Sequence, residues 1–102
     1  FDVRFLPNPY WVPELRPKTG LSSDVASYVM AQAGATEFID RVEQLLVGMA
    51  PGYLREGKKQ VTVAVGCTGG KHRSTAISEE LSTRLAARGH RTAVLHRDLG
   101  KE

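Results

Sequence analysis

The segment GCTGGKHRS, residues 66–74, gathers the residue types that bind an anion. Arg73 can grip an oxyanion through two parallel hydrogen bonds, Lys71 adds a compact positive charge, and His72 can change its charge near neutral pH. Five small residues supply backbone N–H groups and hydroxyls: Gly66, Thr68, Gly69, Gly70 and Ser74. A glycine-rich turn that opens a helix points such N–H groups at one spot, beside the positive end of the helix dipole. The segment therefore predicts a phosphate site, the alternative being a tight turn whose charges face water.

The cysteine in this segment raises the question of covalent chemistry. Cys67 to Arg73 reads C-x-x-G-x-x-R, which resembles the signature of cysteine-dependent phosphatases, where a thiolate attacks phosphorus and the arginine stabilises the transferring group. Gly66 stands where those enzymes usually have histidine, and the candidates for a general acid are Asp2 and Asp98. A phosphatase is thus the alternative function, beside a cysteine that contacts a ligand without chemistry or is a small buried residue.

Two other kinds of site do not fit the spacing. A triphosphate-binding P-loop requires G-x-x-x-x-G-K-[ST], whereas Gly70-Lys71 is followed by His72 and preceded at the fifth position by Val65. Cys67 and the three histidines lack a recognised metal-ligand spacing. We therefore expect no metal and no cofactor in this chain.

The elements around the segment predict how it is positioned. VTVAV, residues 61–65, is typical of a buried strand, and apolar residues at helical spacing predict a helix from about Arg73 to Arg88, ended by Gly89. TAVLH, residues 92–96, would be a second strand, parallel to the first, and the alternating FDVRFL a third. We predict an α/β fold, a small mostly parallel sheet with helices on its faces, with residues 66–74 at the edge where such sheets bind ligands.

The chain between the first strand and residue 61 should hold a loop and two helices. Four prolines lie within residues 7–17, so residues 7–20 should be irregular, anchored by Tyr10 and Trp11, and should reach the 66–74 turn. A first helix should begin at Ser22 or Ser23 and break at Gly34, and a second should end near Pro51-Gly52.

Length and composition indicate one ordinary globular domain over residues 1–102. Hydrophobic residues make up 41% and charged residues 25%, and no apolar run approaches the ~20 residues of a membrane span. One cysteine allows no internal disulfide, and no signal peptide is visible, so we expect a cytoplasmic protein without membrane contact. Because the chain starts without Met, we expect a domain cut from a larger protein.

The positive charge is concentrated in the second half of the chain. Residues 1–56 carry five basic and seven acidic residues, whereas residues 57–102 carry nine basic and four acidic residues. Candidate contacts for RNA are Arg84, Arg88, Arg91, Arg97 and Lys101. The alternative for these arginines is a solvated helix face with ion pairs between neighbouring turns.

Several segments together resemble the C-terminal domain of the RapZ proteins, also called RNase adapter proteins. They are FDVRFLPNP, WVPELRPKTG, TVAVGCTGGKHRS and the closing HRDL. The resemblance implies a non-enzymatic regulatory domain, similar to a phosphofructokinase subdomain, that self-associates and senses glucosamine-6-phosphate in the control of cell-envelope precursors. It also implies partners, a small regulatory RNA and an endoribonuclease, and an N-terminal P-loop domain outside this chain that would bind ATP or GTP.

The resemblance also implies which residues bind the sugar phosphate. The family's pocket matches Asp2, Arg4, Cys67, Thr68, Gly69, His72 and Arg73, to which the residue types above add Gly70 and Ser74. Tyr10, which is histidine in some members, and Lys71 would form the rim. Some members end in a basic run that contacts RNA, whereas this chain ends DLGKE, so the sugar-phosphate pocket is the firmer expectation.

Overall fold

The computed structural model describes residues 1–101 and contains three α-helices. These are α1, Ser23–Met30; α2, Ala35–Arg55; and α3, Arg73–Ala87; a 3-10 helix, Pro9–Trp11, precedes them. The predicted break at Gly34 and the predicted helix starting at Arg73 are confirmed. None of the helices within residues 1–101 combines the length and the apolar character that crossing a lipid bilayer demands.

The helix α2 was predicted to end near Pro51-Gly52, and it continues to Arg55. A proline inside a helix removes one backbone hydrogen bond. Pro51 is exposed, and the turn that follows is closed by hydrogen bonds from the Glu56 amide to the Gly52 carbonyl (3.2 Å) and from the Gly57 amide to the Leu54 carbonyl (3.1 Å). The last turn of α2 is therefore complete despite the proline.

The predicted α/β fold with its parallel sheet is also wrong. Within residues 1–101 the strand pairing consists of one parallel bridge, between Asp2 and Gly66. Two hydrogen bonds of 2.8 Å make it, from the Val3 amide to the Gly66 carbonyl and from the Gly66 amide to the Phe1 carbonyl. The described chain is thus a helical domain, and the likeness to a phosphofructokinase subdomain, which rests on the sheet, is corrected with it.

The physical reason lies in what an apolar β-branched run specifies. Residues 61–65 and 92–96, which were predicted to be strands, are irregular. Neither segment pairs along a ladder, and Val61, Val94 and Leu95 are exposed. Such a run favours an extended backbone, yet a sheet also requires an aligned neighbour whose side chains cover the same face. The sequence pattern therefore predicts an extended backbone, but it does not show whether a neighbouring strand is present.

The core is built around the start of α3, which packs against both α1 and α2. Residues 72–77 are buried without a gap, so the polar end of the 66–74 turn lies at the centre of the domain. The apolar residues that surround it come from the first segment, from both other helices and from α3 itself: Val3, Leu6, Leu15, Val25, Val29, Ala35, Ile39, Ala76 and Ile77. This packing fixes where the candidate site begins.

Candidate anion-binding site

A cavity of about 580 Å³ lies between the 66–74 turn and the proline-rich loop. This volume lies within the range of small-molecule sites. The turn contributes Cys67, Thr68, Gly69, Lys71, His72 and Arg73, and the loop contributes Asn8, Tyr10, Trp11, Pro13, Arg16 and Pro17. The prediction that the loop from Pro7 reaches the turn is therefore confirmed.

The loop is held against α3 by backbone contacts. The Gly20 amide donates to the Lys71 carbonyl at 2.8 Å, and the Arg16 carbonyl lies 3.2 Å from Nε2 of His72, which therefore carries the proton of that hydrogen bond. The expected anchors are wrong, because Tyr10 and Trp11 are 46% and 74% exposed. Backbone contacts and buried small or aliphatic residues, not the aromatic rings, hold this wall of the cavity.

Arg73 is the central cation of the site and is only 5% exposed. Its Nη1 donates to the carbonyls of Arg4 (3.2 Å) and Leu6 (2.9 Å), and its Nη2 donates to Thr68 Oγ1 (3.3 Å). Its Nε is buried and has no acceptor within residues 1–101. A buried charged donor without an acceptor raises the free energy of the folded protein. An oxyanion at the edge of the guanidinium formed by Nε and Nη2 would supply the missing acceptor.

Cys67 lines the cavity and is hydrogen-bonded to Ser74. Its thiol donates to Ser74 Oγ at 3.2 Å, and its Sγ accepts from the Ser74 amide at 3.5 Å. Burial by itself would raise the pKa of the Cys67 thiol, but these two hydrogen bonds, one from the Gly70 amide and the charge of Arg73 together bring that pKa below its ordinary value. The Cys67 thiol is therefore more acidic than an ordinary cysteine thiol.

A phosphatase would also need a general acid beside the cysteine. None of the residues lining the cavity within the described chain is Asp or Glu. Asp98 lies against Gly70 but is paired with Arg97, and its pKa is lowered chiefly by that hydrogen bond, which keeps it ionised. Within the described chain, the cavity walls therefore hold no carboxylic general acid beside Cys67.

Replacing Ser74 with alanine should raise the pKa of the Cys67 thiol, because the hydrogen bond with the Ser74 side chain that lowers this pKa is lost. The measurement is the rate of alkylation by iodoacetamide against pH, whose midpoint should move to higher pH. Ser78→Ala, one turn later in α3, is the matched control and should leave the midpoint in place. An unchanged midpoint in Ser74→Ala would show that the hydroxyl does not stabilise the thiolate.

Asp2 and Arg4, predicted in the pocket, do not line the cavity. The Arg4 side chain grips the Asp2 carboxylate, with Nη2 2.6 Å from Oδ2 and Nε 3.0 Å from Oδ1, and both side chains are exposed. The hydrogen bond from the Arg4 side chain lowers the pKa of Asp2 to about 2. This pair leaves no free carboxylate there to face a sugar ammonium group.

Gly70 and Ser74 support the site from behind. Gly70 has φ +71, and its carbonyl accepts a hydrogen bond from Thr75 Oγ1 at 3.0 Å, which sets the bend of the turn. Ser74 is buried and directed at the Cys67 sulfur. The structure thus places these two predicted ligand residues next to the cavity and not on its wall.

Two of the predicted RNA contacts are engaged within the fold. Arg84 contacts Asp40 and lies 3.4 Å from Glu43 and 3.2 Å from Glu80, measured between side-chain N and O atoms, and Arg88 contacts Glu43. The hydrogen bond from Arg88 lowers the pKa of Glu43. These arginines join α2 to α3.

The other three predicted RNA contacts, Arg91, Arg97 and Lys101, are exposed. Arg97 is paired with Asp98, with Nη2 and Oδ2 3.0 Å apart. None of the three lines the cavity.

Sequence reasoning missed Arg16 as a member of the site. Arg16 lies between Pro13 and Pro17 in the irregular loop, and no sequence spacing relates it to residues 66–74. Its carbonyl meets His72 and its guanidinium carbon lies 4.6 Å from the centroid of the Tyr10 ring. A contact across 56 residues between a loop and a turn leaves no periodic signal, so only the fold could reveal it.

These features define a small helical domain with a cationic cavity at the buried start of a helix. The chain matches the RapZ C-terminal domain over residues 1–100, and it belongs to that family. The expected family resemblance is thereby confirmed.

Curated relatives agree along nearly the whole chain. A nucleotide-binding protein of Cutibacterium acnes is 99% identical over 102 residues, all of this chain. Nucleotide-binding proteins of Streptomyces coelicolor and Mycolicibacterium gilvum are 66% and 59% identical, each over 99% of this chain. The chain spans about a third of the length of these relatives, 35%, 34% and 31% in turn.

Proposed function

We propose that this domain is a regulatory module that binds a phosphorylated amino sugar of the glucosamine-6-phosphate type without consuming it. The observation that carries the proposal is the buried edge of Arg73, whose Nε lacks an acceptor within residues 1–101 while Nη1 is fixed by two carbonyls. A phosphate oxygen at that edge would complete the hydrogen bonding of the guanidinium. Thr68 and the amides of the turn would bind the remaining oxygens.

The walls of the cavity suit the rest of such a ligand. The ring centroids of Tyr10 and Trp11, which both line the cavity, lie 5.1 Å apart, and the two rings are nearly perpendicular. They offer an apolar surface to the carbon face of a sugar ring. The described cavity walls carry no Asp or Glu, the residue types from which a general acid was expected, and this favours binding over hydrolysis.

The regulatory part of the proposal rests on membership of the RapZ family. The relatives are named for nucleotide binding, and we assign the nucleotide to the two thirds of those proteins that this chain does not span. Binding of the sugar phosphate to this module would change the activity of the nucleotide-binding part. Through that part it would act on a small regulatory RNA and an endoribonuclease, as the RapZ resemblance implies.

Isothermal titration with glucosamine-6-phosphate tests this function. We expect saturable heat with glucosamine-6-phosphate, none with glucosamine, and no release of inorganic phosphate on long incubation. Equal heats for the two sugars, or no heat from a folded sample, would overturn the proposal. Phosphate release that disappears in Cys67→Ser would instead establish the cysteine phosphatase.

A further inference from the structure

The cavity carries one arginine more than the phosphate proposed above uses. Its described walls include two arginines, Arg16 and Arg73, and no Asp or Glu. The phosphate proposed above is satisfied on the turn side, by Arg73, Thr68 and backbone amides. Arg16 lines the cavity from the proline-rich loop, and the phosphate site on the turn does not use it.

Arg16 is held in place without being neutralised. Its Nε donates to the Tyr10 carbonyl at 2.6 Å, and its guanidinium lies over the Tyr10 ring. These contacts fix the direction of the side chain but contribute no negative charge. Within residues 1–101, five other arginines have a carboxylate within 4.0 Å and Arg16 has none: Arg4, Arg41, Arg84, Arg88 and Arg97.

The main chain of the same residue ties this wall to the turn. The Arg16 carbonyl accepts the hydrogen bond of His72, the residue directly before Arg73. This hydrogen bond connects the part of the loop that carries Arg16 to the start of α3, which carries Arg73. A cation oriented by an aromatic ring, open to a cavity and lacking a carboxylate is suited to bind an anionic group of a ligand.

We propose that the cavity recognises a sugar carrying two anionic groups, a phosphate held at Arg73 and a second phosphate or carboxylate held at Arg16. The ring lies between them, against Tyr10 and Trp11. This inference rests on the proposed function and adds to it that sugars with a second phosphate or a carboxylate bind more tightly than a sugar monophosphate. Tyr10 also orients Arg16, because its carbonyl accepts from Arg16 Nε and its ring lies beneath the guanidinium.

Titration of purified protein with glucosamine-6-phosphate and with glucosamine-1,6-bisphosphate tests the inference, because the two differ by one phosphate. We expect the bisphosphate to bind at least about tenfold more tightly, as one charge-assisted hydrogen-bonded pair allows. In Arg16→Gln this preference should vanish while the affinity for the monophosphate changes less than about twofold. Tyr10→Leu should reduce the preference in the same direction. 6-Phosphogluconate shows whether a carboxylate can serve as the second group.

Lys18→Gln is the matched control, because Lys18 belongs to the same loop but pairs with Asp24 outside the cavity. It should leave both affinities unchanged. Equal affinities for the two phosphates, or an Arg16→Gln variant that weakens both equally, would overturn this inference while leaving the proposed function standing. If neither phosphate binds, the proposed function itself is wrong and the inference falls with it.

Discussion

Replacing Arg73 with methionine should weaken glucosamine-6-phosphate binding by about 100-fold or more. The variant removes the two hydrogen bonds that Nε and Nη2 would make to the phosphate, each worth about 1.5–3 kcal/mol because the partners are charged. It should also lower the free energy of unfolding by about 1–3 kcal/mol, since the carbonyls of Arg4 and Leu6 lose their donor. Calorimetric titration and urea unfolding measure the two effects separately.

A second variant separates binding from folding if Arg73→Met is too unstable. Thr68 is exposed, and its hydroxyl accepts a hydrogen bond from Nη2 of Arg73. Thr68→Val should therefore keep the fold and weaken binding about tenfold. Arg91→Met, an exposed arginine outside the cavity, is the control and should bind as before. A folded Arg73→Met protein with unchanged affinity would show that phosphate is not held at this guanidinium.

Replacing Gly20 with alanine should destabilise the domain by about 1–3 kcal/mol, as overpacking of a close contact does. A Cβ atom at Gly20 would lie 2.4 Å from the His72 carbonyl oxygen, 2.5 Å from the Ala76 nitrogen and 2.8 Å from the Thr75 Cβ. These atoms belong to the buried start of α3 and cannot move aside. The loop must therefore retreat, and its hydrogen bond to the Lys71 carbonyl should lengthen or break.

Thermal unfolding measures the effect, and the melting temperature should fall by about 5–15 °C for a domain of this size. Gly48→Ala is a control with the opposite sign. A Cβ at Gly48 in α2 would meet no atom within 4 Å, and alanine in a helix is favoured over glycine by about 0.5–1 kcal/mol, so its melting temperature should rise. A Gly20→Ala protein as stable as the native one would contradict the close packing of the loop on α3.

The parts of the fold that sequence alone could predict are those set by neighbouring residues. The start of α3 at Arg73 follows from the glycine-rich turn and the apolar spacing after it, and the break at Gly34 follows from a residue unsuited to a helix interior. That residues 1–101 form no sheet could not be foreseen, because the pairing of residues 61–65 depends on what lies beside them in space. The extension of α2 past Pro51 was missed as well, because it depends on whether the following turn forms its own hydrogen bonds.

The same division holds within the candidate site. The turn residues from Cys67 to Arg73 are adjacent in sequence, so their meeting around one cavity was predictable. That Asp2 and Arg4 would pair with each other and leave the cavity, and that Arg16 would enter it, depends on the path of the loop after Leu6. Arg73 shows both aspects at once. Its place in the turn follows from the sequence, whereas its grip on the carbonyls of Arg4 and Leu6 follows from the fold.

The most direct measurement is the nitrogen-15 correlated NMR signal of the Arg73 Nε–H group during titration with glucosamine-6-phosphate. Because this N–H is buried without an acceptor among residues 1–101, a phosphate oxygen arriving there should move its proton signal downfield and slow its exchange with water. The amide signals of Thr68 and Gly69 should shift at the same ligand concentrations. Saturable shifts confined to other parts of the chain, with the Arg73 Nε–H signal unchanged, would contradict the account.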